Sequence, residues 1–468
     1  MAEKRVQGFA NLIDCILIPS IGAPIQVGLL ASEINIYQAL DYPYMTCDIV
    51  ISDSVGLFAQ MDRGAARQGG FTGQEVLVVQ YTTGDDDETF KKRSHAFLLH
   101  KVITRGDVKE KQEVIVIHGV SIEKHLVFDK KISRAYGGEK GNSVHKIVQS
   151  IVEEFVYNKT AKAIYGNIAG ATNVSIKKFN HYDETQSKLR MVLPRVEPTE
   201  AIHMLASEAD NDTGAPHFIF YENHDGYQFA DVSKLVTDEP QFAYEYAAAG
   251  YHEINYNIIE YDVLKQNDLF GALERGLTKS RTINLDILKK QKREVIYDYS
   301  KSGPKFPKLN NSFLVPGYSE EQAPDSVVHL LTSRTGHDTE GSGFSVKDLH
   351  GYDQGGENFL PFHKNVHTAI RTSYKKHLSN FKLRVVVPGN SGINVGRTCI
   401  LHIPQPTIND TGATDTKLDK YLSGHYLITE VRDQIVKGRE MYTTMTMIKD
   451  SESMVTKSAP EEDWKRPR

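Results

Sequence analysis

The chain has 468 residues, enough for about three domains with apolar cores of their own. Its 55 Lys and Arg stand against 60 Asp and Glu, a net charge of −5, and basic residues gather only in short clusters such as Lys289 to Arg293. That argues against a protein that holds nucleic acid by neutralising phosphates, which carries a basic stripe. A hydrophobic share of 40% and a charged share of 25% argue against global disorder. Mean hydropathy is −0.40, and no apolar run reaches membrane-span length. The balance of 23 Tyr and 19 Phe against one Trp leans towards β-structure.

The three cysteines, Cys15, Cys47 and Cys399, are odd in number and lack metal-ligand spacing, so reduced thiols are expected. Sequons at Asn158, Asn173, Asn211, Asn310 and Asn409 carry no weight without a secretory route. Lys4 and Arg5 precede a partly apolar stretch from Leu12 to Ile21. Asp14 and Pro19 interrupt it, which argues against a signal peptide. The polar segment Glu461 to Arg468 is expected to be disordered.

In chain order, short strands are expected at Glu33–Tyr37, Cys47–Ile51, Glu75–Tyr81, His95–Ile103 and Glu113–Val120, with Gly, Asp and Ser between them. The period then changes. Val144, Ile147, Val148, Ile151, Val152 and Phe155 recur at helical spacing, with Ser143 as N-cap. Pro198-Thr199-Glu200 opens another helix. Strand His217–Glu222, turn Asn223-His224-Asp225-Gly226 and the returning Tyr227-Gln228-Phe229 predict a hairpin. Strands follow within 253–263, 276–288 and 293–299, then a Gly/Pro-rich stretch to 356 that is long for a loop. A helix is expected over His363–Leu378, and strands at Lys382–Val387, Thr398–Ile403, His425–Val431 and Tyr442–Ile448.

The two ends of the chain repeat. The segment 48–57 lies over 384–393, 73–79 over 396–402, 96–102 over 425–431, and 113–120 over 441–448. Four strands in one order, with similar punctuation, thus occur twice at low identity. Two copies of one small barrel present two nearly equivalent surfaces. Three chains around a threefold axis present six, a natural adaptor between threefold and sixfold objects.

Several chemical motifs fail on inspection. Asn211-Asp212-Thr213-Gly214-Ala215 and Asn409-Asp410-Thr411-Gly412-Ala413 share the Asp-Thr-Gly-Ala string of aspartic proteases. That chemistry needs each Asp on a turn directly after an apolar strand. Here a polar Asn precedes each, and the string is good turn composition. His363 and His367 stand four apart, without the Glu of the zinc-protease pattern. Asp85-Asp86-Asp87-Glu88 lacks calcium-loop spacing. Gly137 to Gly141 and Gly341-Ser342-Gly343 fit no phosphate loop, and Lys289 to Arg293 reads as a solvated turn. No catalytic, cofactor-binding or metal residue is assigned, no cofactor is expected, and individual interface residues are not identified.

The stretch Leu422 to Val431 followed by Met441 to Ser451 resembles the ending of baseplate hub proteins of contractile-tailed bacteriophages. Val387-Pro388-Gly389-Asn390, Val395-Gly396 and Leu401 to Pro404 are similar to that family's second barrel. Asp53 to Leu57 and Gly73 to Leu77 are similar to its first, and Phe218 to Leu235 to its small middle domain. Type VI secretion spike proteins contain a similar hub. The resemblance implies a mainly β, α+β chain with two tube-type β-barrel domains: 1–142, and 251–300 joined with 365–452. A helix and connector (143–192), a small α+β module (193–250), an insertion (301–364) and a polar tail (453–468) complete it.

It further implies a homotrimeric, non-enzymatic ring at the tail tip, assembled in the host bacterial cytoplasm and without a membrane anchor. Its partners would be the hexameric tail tube protein, the trimeric central spike protein and other baseplate proteins. Tape measure protein and DNA would pass through its lumen without sequence-specific binding. Segments 301–356 and 404–420 have no counterpart in the pattern. A hub of a type VI-like spike and an aspartic-type protease are the rival readings.

Overall fold

The computed structural model describes residues 8–19, 23–54, 56, 71–83, 92–109, 112–136, 142–157, 162, 164, 166, 168, 177, 179–186, 188–189, 191–212, 215–246, 256–266, 268–286, 290–299, 303, 306–310, 327–332, 362–405, 418–437 and 439–452. Strands β1 (Ala10–Ile18), β2 (Ile25–Gln26), β3 (Ala31–Ala39), β4 (Thr46–Asp53), β5 (Glu75–Thr83), β6 (Arg93–Lys109) and β7 (Gln112–Ser121) come first. Helix α1 (Ile122–Val127), β8 (Ile132–Tyr136), β9 (Asn142–Ser143) and α2 (Val144–Ile151) follow, and α2 runs on as a π-helical turn over Val152–Val156. The middle of the chain holds β10 (Phe179–Tyr182), β11 (Lys188–Leu189), β12 (Met191–Val196), α3 (Pro198–Glu208), β13 (Phe218–Asn223), β14 (Gly226–Asp231), α4 (Val232–Thr237) and β15 (Phe242–Glu245). The last part holds β16 (Glu260–Gln266), α5 (Leu269–Glu274), β17 (Lys279–Asp286), β18 (Gln291–Asp298), β19 (Val328–Thr332), α6 (Phe362–Leu378), β20 (Phe381–Pro388), β21 (Thr398–His402), β22 (Gly424–Val436) and β23 (Glu440–Lys449). The protein is mainly β.

One 13-stranded sheet dominates, in the order β16-β20-β23-β22-β3-β4-β7-β6-β5-β1-β2, with β21 pairing β22 and β15 pairing β21. Within it, two runs share one order. Strands β4, β7, β6 and β5 pair successively and antiparallel, and so do β20, β23, β22 and β21. The registers also coincide. Asp48 faces His118 as Arg384 faces Thr446, and Lys101 faces His118 as Glu430 faces Thr446. Both long strands carry a bulge at the same place, between Leu99 and Lys101 and between Ile428 and Glu430. Strand β3 stands beside β4 as β16 stands beside β20. The outermost strands differ: β1 meets β5 antiparallel, whereas β15 meets β21 parallel.

One detail of the sequence overlay is corrected. It set Val76 over Cys399. The ladders and the buried faces instead put Leu77, opposite Phe97, in the place of Cys399, opposite Tyr426. Leu77 and Cys399 both point into apolar cores, and a one-residue slip would turn each strand inside out. The overlay had followed the glycines, and those do agree. Gly73 and Gly396, just ahead of the two strands, both have φ +78°, a conformation cheap only for glycine.

Alternation explains the two cores. In β4 every second residue is buried, and β20 repeats the alternation. Ile34, Ile36, Cys47, Ile49, Leu77, Phe97 and Ile117 fill one core. Leu383, Val385, Cys399, Leu401, Tyr426, Ile428 and Met445 fill the other, under Ile370 and Tyr374 of α6. A third core joins Val144, Ile147, Val148 and Ile151 of α2 to Ile202 and Leu205 of α3 and to Phe218, Phe220, Tyr227 and Phe229 of the β13–β14 hairpin. Ser143 sits at the N-cap of α2 as expected, but its side chain makes no capping bond.

Of the strands expected in 251–300, only β16 enters the large sheet. Strands β17 and β18 pair with each other over their full lengths and, with β19, form a separate sheet. Their turn contains Lys290 at φ +52°. Helix α6 covers this sheet and the second core together. The Ser373 hydroxyl donates to Gly276 O at 2.8 Å, and Tyr299 and His377 are hydrogen-bonded at 2.9 Å.

A Cβ at Gly396 would overlap the Tyr221 hydroxyl of the middle hairpin, in a backbone conformation that L residues avoid. At Gly73 the nearest atom, His100 O, is 3.4 Å away. Gly396→Ala is therefore expected to lower stability by about 1–3 kcal/mol beyond Gly73→Ala, read as the difference between their thermal unfolding midpoints.

Candidate assembly surface

The longest joint between the two strand runs is a seam of β22 and β3. Residues 430–436 of β22 pair antiparallel with 39–33 of β3. Beside this ladder, Leu40 N donates to Thr429 O and Lys437 N to Ser32 O, both at 2.9 Å. On the polar face of the seam, Arg432 Nε donates to Asn35 Oδ1 at 2.9 Å, and its guanidinium lies 3.2 Å from Glu33.

The apolar side of the seam encloses a polar node where three parts of the chain meet. Asp433 of β22 is fully buried. Its carboxylate accepts from Thr443 Oγ1 at 2.9 Å, from the Tyr81 hydroxyl at 3.0 Å, and from His224 Nε2 at 2.9 Å. With that proton on Nε2, His224 Nδ1 is left as acceptor for His95 Nε2 at 2.9 Å. His95 Nδ1 is buried without a partner. Burial holds both imidazoles below the ordinary value. At His95, the neighbouring His224, Lys177 and Arg93 push the same way. At His224 the Asp433 hydrogen bond opposes burial without overcoming it.

The hairpin turn reaches further. Arg93 Nη1 donates to Asp225 Oδ1 at 2.8 Å, and its Nε donates to Ser391 O at 2.6 Å. Asn394 Nδ2 donates to Asp225 Oδ2 at 2.8 Å. Asn223-His224-Asp225-Gly226 is a hairpin turn, as its composition indicates, but it is a plug between two cores. A second anchor lies below it. Glu222, fully buried, accepts from Met45 N at 2.7 Å and Ser121 Oγ at 3.0 Å, and it pairs with Lys177.

Of the first Asp-Thr-Gly-Ala string, Asp212 and Ala215 lie among the described residues, with Asn211 ahead of them. Asn211 is buried: Oδ1 accepts from Ala215 N and Nδ2 donates to Asp231, at 2.9 and 2.7 Å. It holds the end of the middle module, and Asp212 is exposed. The second string, 409–413, lies outside the described residues, as do 85–88, 137–141 and 341–343. His367 is buried on α6, and the side chain of His363 lies outside the described set. Among the described residues no group of three or more His, Cys, Asp or Glu is placed to hold a metal ion. The three cysteines are unpaired and buried, and burial pushes Cys15 and Cys399 up to about 12. No helix among the described residues is long and apolar enough to cross a membrane.

No protein-family model matches the chain. No curated protein matches it either. Solved structures similar to it are phage tail and baseplate proteins and type VI secretion components. The tail protein from Neisseria meningitidis MC58 is 10% identical, with TM-score 0.47, over 94% of this chain and 96% of that one. The 43 kDa tail protein of prophage MuSo2 from Shewanella oneidensis is 9% identical, with TM-score 0.47, over 93% and 98%. The Francisella PdpA-VgrG complex is 8% identical, with TM-score 0.42, over 98% of this chain and 55% of that one.

Proposed function

We propose that the chain is a structural baseplate hub at the tip of a contractile phage tail. Its two strand runs, 1–142 and the parts of 251–300 and 365–452 that join the large sheet, are two copies of one tube-type barrel. Three chains form a ring of six such copies. The ring adapts a hexameric tail tube to a trimeric central spike, and its channel passes tape measure protein and DNA. The observation that carries this reading is the repeated strand order, β4-β7-β6-β5 and β20-β23-β22-β21, with matching registers and one bulge at the same place in both. One chain thereby presents the same ladder twice, and a threefold assembly offers a sixfold partner six near-equivalent sites.

The test is the mass in solution by light scattering, for the full chain alone and mixed with its neighbouring spike protein. A species near three times 52.6 kDa, or a three-to-three complex with the spike, is expected. A monomer in both samples overturns the reading.

A further inference from the structure

The geometry points to a specific partner for two open strand edges: a second copy of this chain, docked head to tail with β6 against β16. The inference rests on the ring reading above and names the surfaces that close it.

Strand β6 is paired with β7 along its length, but β5 covers its other side only as far as Leu99. From Lys101 onward that side has no strand partner among the described residues. Among the described residues, strand β16 ends the sheet and pairs only with β20. These two edges occupy equivalent places in the two runs. β6 stands where β22 stands, and β16 where β3 stands. The β22 and β3 edges are the pair joined in the seam. One chain therefore contains the joint once, made, and both halves of it again, unmade. The two open halves belong to different strand runs, β16 at the end of one and the far half of β6 within the other, so a second molecule can supply the missing strand.

The seam dictates the register. Val431 faces Gln38, Asp433 faces Ile36, and Gln434 faces Asn35. Carried through the equivalent ladders, Val102 faces Gln266, Arg105 faces Val263, and Gly106 faces Asp262 of the next molecule. Each open edge holds one extra residue relative to its own neighbour, between Val102 and Thr104 in β6 and between Val263 and Lys265 in β16. Bulges ordinarily blunt an edge. Here Ile103 and Leu264 both fall between the Val102–Gln266 and Arg105–Val263 pairs, one on each strand, so the ladder is back in phase at Arg105.

The side chains agree. Val102 is 37% exposed, Ile103 50%, Val263 44% and Leu264 42%. In the made seam, the counterparts of Val102 and Val263 are Val431 and Ile36, 2% and 0% exposed. Such an interface is heterologous, so it propagates in one direction and closes only as a ring.

The experiment uses the full chain carrying Gly106→Cys and Asp262→Cys together, and each change alone. The counterpart pair, Gln434 and Asn35, lies between two hydrogen-bonded steps of the ladder, where the Cα atoms approach most closely. A Cβ at Gly106 meets nothing within 4 Å. The native thiols are buried. Mild oxidation is followed by non-reducing gels, with light scattering of the same samples. The double variant is expected to give covalent species up to the trimer, and each single variant none. A trimer by scattering that never cross-links overturns the β6–β16 pairing and leaves the ring reading standing. Cross-linking of Gly106→Cys alone as efficiently as the double variant overturns head-to-tail docking in favour of like-with-like edges. A monomer without cross-links overturns the pairing and the ring together.

Discussion

Asp433→Ala is expected to lose about 3–5 kcal/mol of folding stability, the cost of leaving three buried donors without an acceptor. The Tyr81 hydroxyl, the Thr443 hydroxyl and His224 Nε2 would all lose their acceptor at once, in a site from which water is excluded. Asp433→Asn keeps one acceptor oxygen and the shape, so its loss is expected to be smaller, about 1–3 kcal/mol. Denaturant unfolding of the two variants beside the parent chain reads the difference. The node ties Tyr81, His224 and Asp433 from three parts of the chain, so limited proteolysis of Asp433→Ala should release the middle module before either strand run. Equal losses for the two variants would mean that the acceptor oxygen and the shape that Asn retains contribute nothing, against the hydrogen-bond account of the node.

Acid is expected to unfold the protein through its buried histidines, two of them in this node. His95 and His224 are held below the ordinary 6.5, first of all by burial. His377 is pushed down to about 4, and His402 and His425 are lowered too, chiefly by burial. An unfolded chain takes up protons on these imidazoles below pH 6.5 that the folded chain refuses. Their contribution is thus fully present above pH 6.5 and is lost as the pH falls below it, at up to about 1.4 kcal/mol per pH unit for each histidine. Thermal midpoints should fall steeply as the pH drops below 6.5, with net proton uptake on unfolding. His95→Gln should make that fall shallower by about one histidine's share. An unchanged slope would remove His95 from the account.

Much of the fold is legible because strand alternation and glycine punctuation are local. The run Cys47 to Ile51 and its repeat at Lys382 to Val387 show their buried faces in the sequence itself. Strand β1 was hidden because a register shift between Leu12 and Asp14 breaks its alternation. The far half of β6 was hidden for a related reason: Thr104-Arg105-Gly106-Asp107 has the composition of a turn. The seam could not be read at all. Nothing near Glu33 announces Val436, because a ladder joining the two ends of a chain leaves no periodic trace in either. The node is illegible for the same reason. Asn-His-Asp-Gly spells a hairpin turn, and only the packing of two distant strands decides that this turn is buried. The catalytic motifs that the sequence offered were short strings of turn residues. Asn211 shows what such a string can be for, since it closes a turn on its own backbone.

The seam also governs how the molecule is made. Its side-chain contacts span up to 401 positions of chain, as between Glu33 and Gln434. At translation rates of about 5–20 residues per second, the edge of β3 waits roughly 20–80 s for the strand that covers it. Long-range closures of this kind are slow to form. During the wait, a nascent chain displays the open edge of β3, which fits β22 of any neighbour whose own seam has not yet closed. Crowded synthesis therefore favours swapped pairs, in which one molecule's β22 seats on another's β3. Expression at lower temperature, or with a holdase present until release, should raise the yield of correctly closed chains.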